Sequence, residues 1–185
     1  MHILTIALFA VLATAPAVAA EVAGVKLEDK ASVGGQELVL NGAGVRTRAI
    51  FKVYVGSLYL PAKTANPQSA LTAAPRRIQL NLLRALSADQ LVDALVEGLK
   101  ANAAPQELDA ANGQTAELVA IMKALGDVKE KDVVTIDFAD GATRIALNGA
   151  GKGVIAGDAF NRALTKVWLG ENPVQADLKK AMLGG

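Results

Sequence analysis

The segment from Leu40 to Pro61 reads LNGAGVRTRAIFKVYVGSLYLP, and it constrains the fold more than any other part of the chain. Ile, Phe, Val and Tyr are frequent in it, and such β-branched and aromatic residues favour strands. The pattern predicts one long strand from Val45 to Leu60, which Pro61 ends. Because side chains on a strand alternate between its two faces, residues an even interval apart project together unless a bulge intervenes.

Three cations and a phenol share one face of this predicted strand. A glycine-flanked turn delivers Arg46 and Arg48 into it, and the same face would carry Ile50, Lys52 and Tyr54. Burial of cations costs free energy unless an anionic partner compensates for the lost water. We therefore interpret this face as the floor of an anion-binding cleft. The alternative is that it forms the solvent side of a half-exposed sheet, with the apolar residues of the other face in the core.

The amino terminus has the pattern of a secretory signal peptide. The first 20 residues contain no Lys, Arg, Asp or Glu, and they end in the small residues Ala17-Val18-Ala19-Ala20. This predicts a signal peptide over residues 1–20, cleaved near Ala19 or Ala20, and a mature domain over residues 21–185 in the periplasm or outside the cell. The alternative is a retained membrane anchor, because the apolar run is close to the minimum length for spanning. No later run is long and apolar enough to span, so no membrane span is expected after cleavage.

Missing residue types exclude several classes of chemistry. The only histidine is His2, and the chain contains no cysteine. A mature chain with neither histidine nor cysteine has no Ser–His–Asp or Cys–His nucleophile system. It also lacks the usual ligands of zinc, haem and iron–sulfur clusters. We therefore expect no metal site and no cofactor. A formal net charge of +1 gives no support to nucleic-acid binding as the main task.

Local patterns predict hairpins and helices that are segregated along the chain. Ser87 to Gln90 has the spacing of a helix capping box, and Asp140-Gly141 is typical of a hairpin turn. The predicted strands are Val22–Leu27, Gln36–Leu40, Val45–Leu60, Arg77–Leu83, Asp132–Phe138 and Thr143–Leu147. The predicted helices are a short one from Asn66-Pro67 to about Ala73, one that follows the Ser87 cap, and Leu108–Leu125, Gly157–Leu169 and Pro173–Leu183. This order indicates an α+β fold with a mainly antiparallel β-sheet.

Three further features have structural interpretations. LNGAG occurs at residues 40–44 and again at 147–151, where GKG follows it. A dinucleotide-binding loop is not expected there, because only helical sequence follows, so Gly149–Gly157 is predicted as a close-packed turn into a helix. Arg76-Arg77 is predicted as a charged strand edge, and Trp168 as a core residue or sheet cover.

GAGVR followed by FKVYVGSLYL resembles the chalcone isomerase fold superfamily, specifically its bacterial secreted chalcone isomerase-like branch. The stretch LRALSADQ resembles the family's connection from a strand into a helix, and Gly157–Gly170 resembles the helix that closes the cleft. The resemblance implies an antiparallel sheet with helices layered on one face around a cleft, which agrees with the order of elements above.

The resemblance also implies site residues, position by position. The arginine that binds substrate in true isomerases corresponds to Arg46, and the family's strand threonine falls at Tyr54. A tyrosine and an asparagine on the following helix fall at Leu91 and Gly98, and a late hydroxyl-bearing residue falls near Asn161. Because the loss of one such donor costs on the order of a hundredfold in rate, efficient isomerisation is not expected.

A sister branch of the superfamily binds fatty acids, and Arg46 and Tyr54 resemble the arginine and tyrosine that hold the carboxylate there. The leading hypothesis is a protein that binds a small apolar acid or lipid without efficient turnover. In this hypothesis Arg48 or Lys52 adds positive electrostatic potential, and Asn161 lines the site. One alternative is an isomerase or intramolecular lyase acting on an unidentified unsaturated ketone, with Arg46 as electrophile. Another is a non-catalytic envelope interaction protein without a small ligand. No oligomeric state is predicted.

Overall fold

The computed structural model describes residues 18–185, with side chains described from residue 20 onward. This part of the chain contains nine strands and six helices. The strands are β1 Val18–Val22, β2 Val25–Glu28, β3 Lys30–Val33, β4 Gln36–Arg48, β5 Phe51–Leu60, β6 Arg76–Leu82, β7 Val133–Ala139, β8 Ala142–Leu147 and β9 Ala150–Ala156. The helices are α1 Pro67–Thr72, α2 Ala88–Asn102, α3 Pro105–Ala110, α4 Asn112–Leu125, α5 Asp158–Leu169 and α6 Ala176–Met182.

Strands β3 to β9 form one seven-stranded sheet in chain order, and each strand is antiparallel to its neighbours. Strands β1 and β2 form a separate antiparallel pair. The predicted α+β class with a mainly antiparallel sheet is therefore confirmed. Within residues 18–185, no helix combines the length and the apolar character that crossing a bilayer would need.

The helices cover one face of the sheet, and the main core lies between them. Alternate residues of the central strands point into this core, where the helices contribute their apolar faces. Its largest fully buried side chains include Leu58, Ile78, Phe138, Phe160 and Trp168. A smaller cluster around Leu38, Val55 and Tyr59 occupies the other face, beneath the β1–β2 hairpin.

Local signals in the sequence predicted several boundaries correctly. Ser87 accepts a hydrogen bond from the backbone N–H of Gln90, and the Gln90 side chain accepts one from the backbone N–H of Ser87, which completes the capping box of α2. Asn66 caps α1, which begins at Pro67. Strands β7 and β8 meet at Asp140-Gly141, where both residues have positive φ.

The predicted long strand over Val45–Leu60 is wrong, because the chain reverses direction inside it. Strand β4 continues to Arg48, the two residues Ala49 and Ile50 form the turn, and β5 begins at Phe51. Ala49 has a φ of 52°, a conformation for which glycine or asparagine is the usual choice. Because the turn contains neither residue, the sequence gives no signal for it.

The GAGVR segment lies within β4 and does not form a turn, contrary to the prediction. Its glycines allow helix α6 to approach the strand closely. A Cβ atom at Gly44 would lie 2.7 Å from the Cβ of Ala181, and one at Gly42 would overlap the Ala181 carbonyl oxygen. The glycines of this segment therefore let a helix pack closely against an extended strand.

Two other predictions need correction. Asn148 and Gly149 form a second tight turn with positive φ, so the predicted turn over residues 149–157 is instead strand β9. The predicted helix over residues 108–125 is two helices, α3 and α4, which meet at Ala111. Residues 1–17 of the predicted signal peptide lie outside the described residues, and its last three residues, Val18–Ala20, begin β1.

Candidate functional site

A cleft of about 730 Å³ opens between the tip of the β4–β5 hairpin, helix α2 and the loop before α6. Ten of its eighteen lining residues are apolar or small, and the other eight are polar or charged. The apolar and small lining residues are Ala49, Phe51, Val53, Leu86, Leu91, Ala94, Gly98, Ala101, Pro173 and Val174. A concave cavity of this size that combines apolar walls with polar groups able to orient a ligand is typical of a small-molecule site.

An irregularity in the β4–β5 pairing decides which side chains face this cleft. Arg46 pairs with Tyr54 and Thr47 pairs with Lys52, so Val53 is an extra residue in β5. Val53 and Tyr54 consequently both contact the core beneath the helices and line the cleft. Arg46 and Tyr54 are neighbours across two strands, whereas the prediction placed them on one unbroken strand.

Arg46 is half-buried and only partly engaged by the protein. Its Nη1 donates to the carbonyl oxygen of Thr47 and, at 3.3 Å, to Oε1 of Gln175, the residue just before α6. The same Gln175 oxygen accepts the backbone N–H of Thr47 at 2.8 Å, which fixes the end of β4. Within residues 18–185 no carboxylate forms an ion pair with Arg46, and Nε and Nη2 have no hydrogen-bond acceptor. These N–H groups can therefore bind an anion in the cleft.

Tyr54 is oriented by a buried hydrogen bond. The indole Nε1 of Trp168, on α5, donates to the Tyr54 hydroxyl oxygen at 3.0 Å. Because an indole nitrogen only donates, the phenolic hydrogen of Tyr54 is left for another acceptor. Burial raises the pKa of Tyr54 to about 12, although the Trp168 hydrogen bond and the Arg46 charge act in the opposite direction. The hydroxyl is thus a neutral donor at physiological pH.

The remaining walls combine apolar helix residues with charges near the opening. Gly98 is required where α2 meets α5, because a Cβ there would lie 2.6 Å from a methyl group of Val167. The Arg84 guanidinium stacks 4.6 Å from the centroid of the Phe51 ring. Asp93 and Glu97 contribute carboxylates from the exposed side of α2. No group of three or more potential ligand residues for a metal ion occurs in the described part of the chain.

A family model described as chalcone isomerase-like matches residues 19–184 of this chain. The chain belongs to the chalcone isomerase-like family. Among solved structures, it is similar to a fatty-acid binding protein of Arabidopsis thaliana, with a TM-score of 0.69 and 14% identity over 86% of this chain and 92% of that one. At this identity the similarity shows a shared fold. No curated protein matches the chain by sequence.

In this chalcone isomerase-like chain, three of the five predicted ligand residues share the cleft. Arg46, Arg48 and Tyr54 line it. Lys52 does not, because the extra residue Val53 turns its side chain to the other face of the sheet. Asn161 lies in another part of the molecule, where it accepts a hydrogen bond from Thr143 at 2.5 Å.

The sequence did not predict Arg84, which lines the cleft, or Gln175, which contacts Arg46. Arg84 follows β6, and Gln175 precedes α6, so each lies far along the chain from Arg46. Their approach depends on the pairing of β5 with β6 and on the docking of α6 against β4. The only local signal is the position of Arg84 in LRALSADQ, the stretch that carries the family resemblance.

Arg76 was predicted to lie at a charged edge, and this is wrong. Its side chain is only 4% exposed and lies 4.5 Å from the centroid of the Phe138 ring. It donates hydrogen bonds to the Thr165 hydroxyl and to the carbonyl oxygens of Asn161 and Ala73. Burial, together with the charge of Arg162, lowers the pKa of Arg76 to about 10, so the group remains a cation at neutral pH. It joins β6 to α5 and to the end of α1.

Proposed function

We propose that this protein binds a fatty-acid-like carboxylate in the cleft, with Arg46 as the charge partner and Tyr54 as a hydrogen-bond donor. The observation that carries the proposal is the cross-strand pair itself. Arg46 has N–H groups without a partner among the described residues, and the Tyr54 hydroxyl already accepts a hydrogen bond from Trp168. The arrangement supplies a cation and a neutral donor side by side, which matches the two oxygens of a carboxylate.

The rest of the cleft suits an apolar chain. Its walls at Val53, Leu86, Leu91 and Val174 present hydrocarbon to the cavity. Removing an alkyl chain from water is favourable by roughly 0.8 kcal/mol for each buried CH₂ group. A ligand with one acidic end and an apolar body therefore uses both parts of the site. A fatty acid, the ligand class for which the similar Arabidopsis protein is named, has this form.

We also infer that turnover is inefficient. The family's catalytic tyrosine and asparagine correspond to Leu91 and Gly98, and both positions line the cleft without offering a side-chain donor. Chemistry that develops charge on an oxygen would therefore lack these two donors, and each missing donor costs about a hundredfold in rate. Binding needs no further group.

Denaturing extraction of purified protein, followed by mass spectrometry, tests the proposal. We expect a stoichiometric fatty acid from the wild-type protein, and little from Arg46→Gln. Lys52→Gln is the matched control, because it removes a cation of the same hairpin that does not line the cleft. Equal recovery from both variants, or failure of added fatty acids to bind the delipidated wild-type protein, would refute the assignment.

The inferred absence of turnover is tested by incubation of the wild-type protein with a chalcone. We expect no cyclisation above the uncatalysed rate, and an Arg46-dependent rate would identify an isomerase instead. We further propose a periplasmic or extracellular location, based on the predicted signal peptide. Amino-terminal sequencing of protein recovered from the periplasm should begin near Glu21.

A further inference from the structure

The tip of the β4–β5 hairpin exposes two large apolar side chains next to each other. Ile50 is 88% exposed and Phe51 is 53% exposed. Across residues 20–185, the only other exposed large hydrophobic residue is Val154, on β9, which lies four strands away from β5 in the sheet. This adjacent pair forms a small apolar tip at the end of the hairpin.

Cations surround this tip on the hairpin and on the neighbouring segment. Arg48 and Lys52 flank the turn, and both are exposed. Arg84 stacks on the Phe51 ring and adds a third cation. The acidic residues that line the cleft, Asp93 and Glu97, lie on α2 and not on the hairpin. The tip is therefore apolar at its end and positively charged around its base.

We propose that this tip docks the protein on an anionic lipid surface, with Ile50 and Phe51 inserted at the interface and Arg48, Lys52 and Arg84 against the headgroups. Apolar side chains beside basic ones bind such surfaces by combining burial with electrostatic attraction. Because Arg48 and Phe51 also line the cleft, docking would place the cleft opening at the membrane. A fatty-acid-like ligand could then enter the cleft from the bilayer, and only this consequence rests on the function proposed above.

The shape of the tip favours a lipid surface over a protein partner. Stable protein interfaces bury about 800 Å² on each side and have an extended apolar core. Two side chains at the end of a hairpin offer far less area. A bilayer interface needs no complementary pocket, because lipid chains close around an inserted side chain, and its anionic phosphates complement the three cations.

Vesicle co-sedimentation tests the docking separately from ligand binding. The probe is a vesicle of phosphatidylcholine with about one-third phosphatidylglycerol, compared with pure phosphatidylcholine. We expect the wild-type protein to prefer the anionic vesicles and to be released at about 0.5 M salt, where exposed charges are screened. Ile50→Ser should weaken partitioning about tenfold, and Lys52→Gln about fivefold.

The strand β9 supplies matched controls. Val154→Ser and Lys152→Gln remove an exposed apolar residue and an exposed cation at a distant site, and both should leave partitioning unchanged. Neither Ile50 nor Lys52 lines the cleft, so fatty-acid recovery from their variants should equal that of the wild-type protein. If the Ile50→Ser and Lys52→Gln variants lose vesicle binding but retain the bound ligand, the result supports docking even if that ligand is not a fatty acid.

Three outcomes would overturn the docking proposal. The first is a wild-type protein that binds neither type of vesicle. The second is an equal loss of partitioning in the Ile50→Ser and Val154→Ser variants. The third is a concentration-dependent dimer, seen by sedimentation velocity, that Ile50→Ser dissociates, since this would make the tip a contact between copies of the chain.

Discussion

Arg46 and Arg76 are both removed from bulk water in this molecule, but the protein satisfies them to different extents. Arg76 is almost fully buried and makes four hydrogen bonds to groups on α1 and α5 while it stacks on Phe138. Arg46 lines the cleft and donates through one nitrogen, to Thr47 and Gln175, and its other N–H groups have no acceptor among the described residues. Neither forms an ion pair within residues 18–185.

The comparison separates a structural cation from a binding cation. A buried guanidinium whose N–H groups all donate to protein acceptors has no donor left for a ligand. A half-buried guanidinium with unused donors at the wall of a cavity can donate them to a bound anion, which also balances its charge. The number of unused donors, and not the presence of an arginine, therefore indicates where a ligand binds.

The largest effect in this comparison should be on stability. We expect Arg76→Ala to lower the free energy of unfolding by about 3 kcal/mol, because it removes the hydrogen bonds to Thr165, Asn161 and Ala73 and the packing against Phe138. Arg46→Ala should change it by less than about 1 kcal/mol, because fewer contacts are lost. Urea unfolding followed by circular dichroism measures both, and equal effects would contradict the division of roles.

The second effect should be on ligand affinity, where Arg46 should matter more than Arg76. We expect Arg46→Gln to weaken fatty-acid binding about a hundredfold, because a charge-assisted contact to the carboxylate is lost in a partly desolvated site. Calorimetric titration with a medium-chain fatty acid measures this. Arg77→Gln is a control that removes a half-buried cation paired with Asp137, away from the cleft, and its affinity should equal that of the wild-type protein.

A smaller effect is expected from the Tyr54 hydroxyl. Tyr54→Phe should weaken fatty-acid binding about fivefold, because one neutral hydrogen bond is worth about 1 kcal/mol. The single tryptophan of the chain, Trp168, contacts this hydroxyl, so its fluorescence should change on ligand binding in the wild-type protein. The change should be reduced in Tyr54→Phe, and an undiminished change with unaltered affinity would remove Tyr54 from the site.

The order of elements could be predicted where the signal is local. The capping box at Ser87 and the Asp140-Gly141 turn both require particular residues at particular positions, and both predictions are confirmed. The two copies of LNGAG show where this reasoning fails. The first copy is extended within β4 because α6 packs on its glycines, and the second begins a tight turn at Asn148. The same letters adopt different structures because their tertiary neighbours differ.

The site could be predicted only in part, for a similar reason. Alternation along the strand placed Arg46, Arg48 and Tyr54 on one face, but the unmarked turn at Ala49 and the extra residue Val53 change the alternation. The two irregularities leave those three residues in the cleft. Contributions from distant elements, such as the Gln175 contact to Arg46 or the burial of Arg76, have no signature in the local pattern.

The smallest effect is expected from pH, and it distinguishes Tyr54 from a titrating catalytic group. Its pKa is raised from 10.0 to about 12, chiefly by burial, so the folded protein holds the phenolic proton more tightly than the unfolded chain does. The stability from the protonated phenol is therefore fully present below about pH 10 and is lost as the pH rises towards about 12. A fatty acid ionises at about pH 4 to 5. Affinity should accordingly be constant from about pH 6 to 9, where ligand charge and phenol proton are both unchanged.

Urea unfolding and ligand titration across this range measure the two quantities in the wild-type protein and in Tyr54→Phe. The difference in unfolding free energy between them should be constant below about pH 10 and should change only above it, since phenylalanine has no proton to lose. Burial also raises the pKa of Tyr59, but that residue is common to both proteins, so its contribution cancels in the difference. A difference that already changes near pH 7 would mean that the Tyr54 hydroxyl ionises readily. The cleft would then contain an acid–base group, and the contrast between a binding site at Arg46 and a structural site at Arg76 would have to include catalysis.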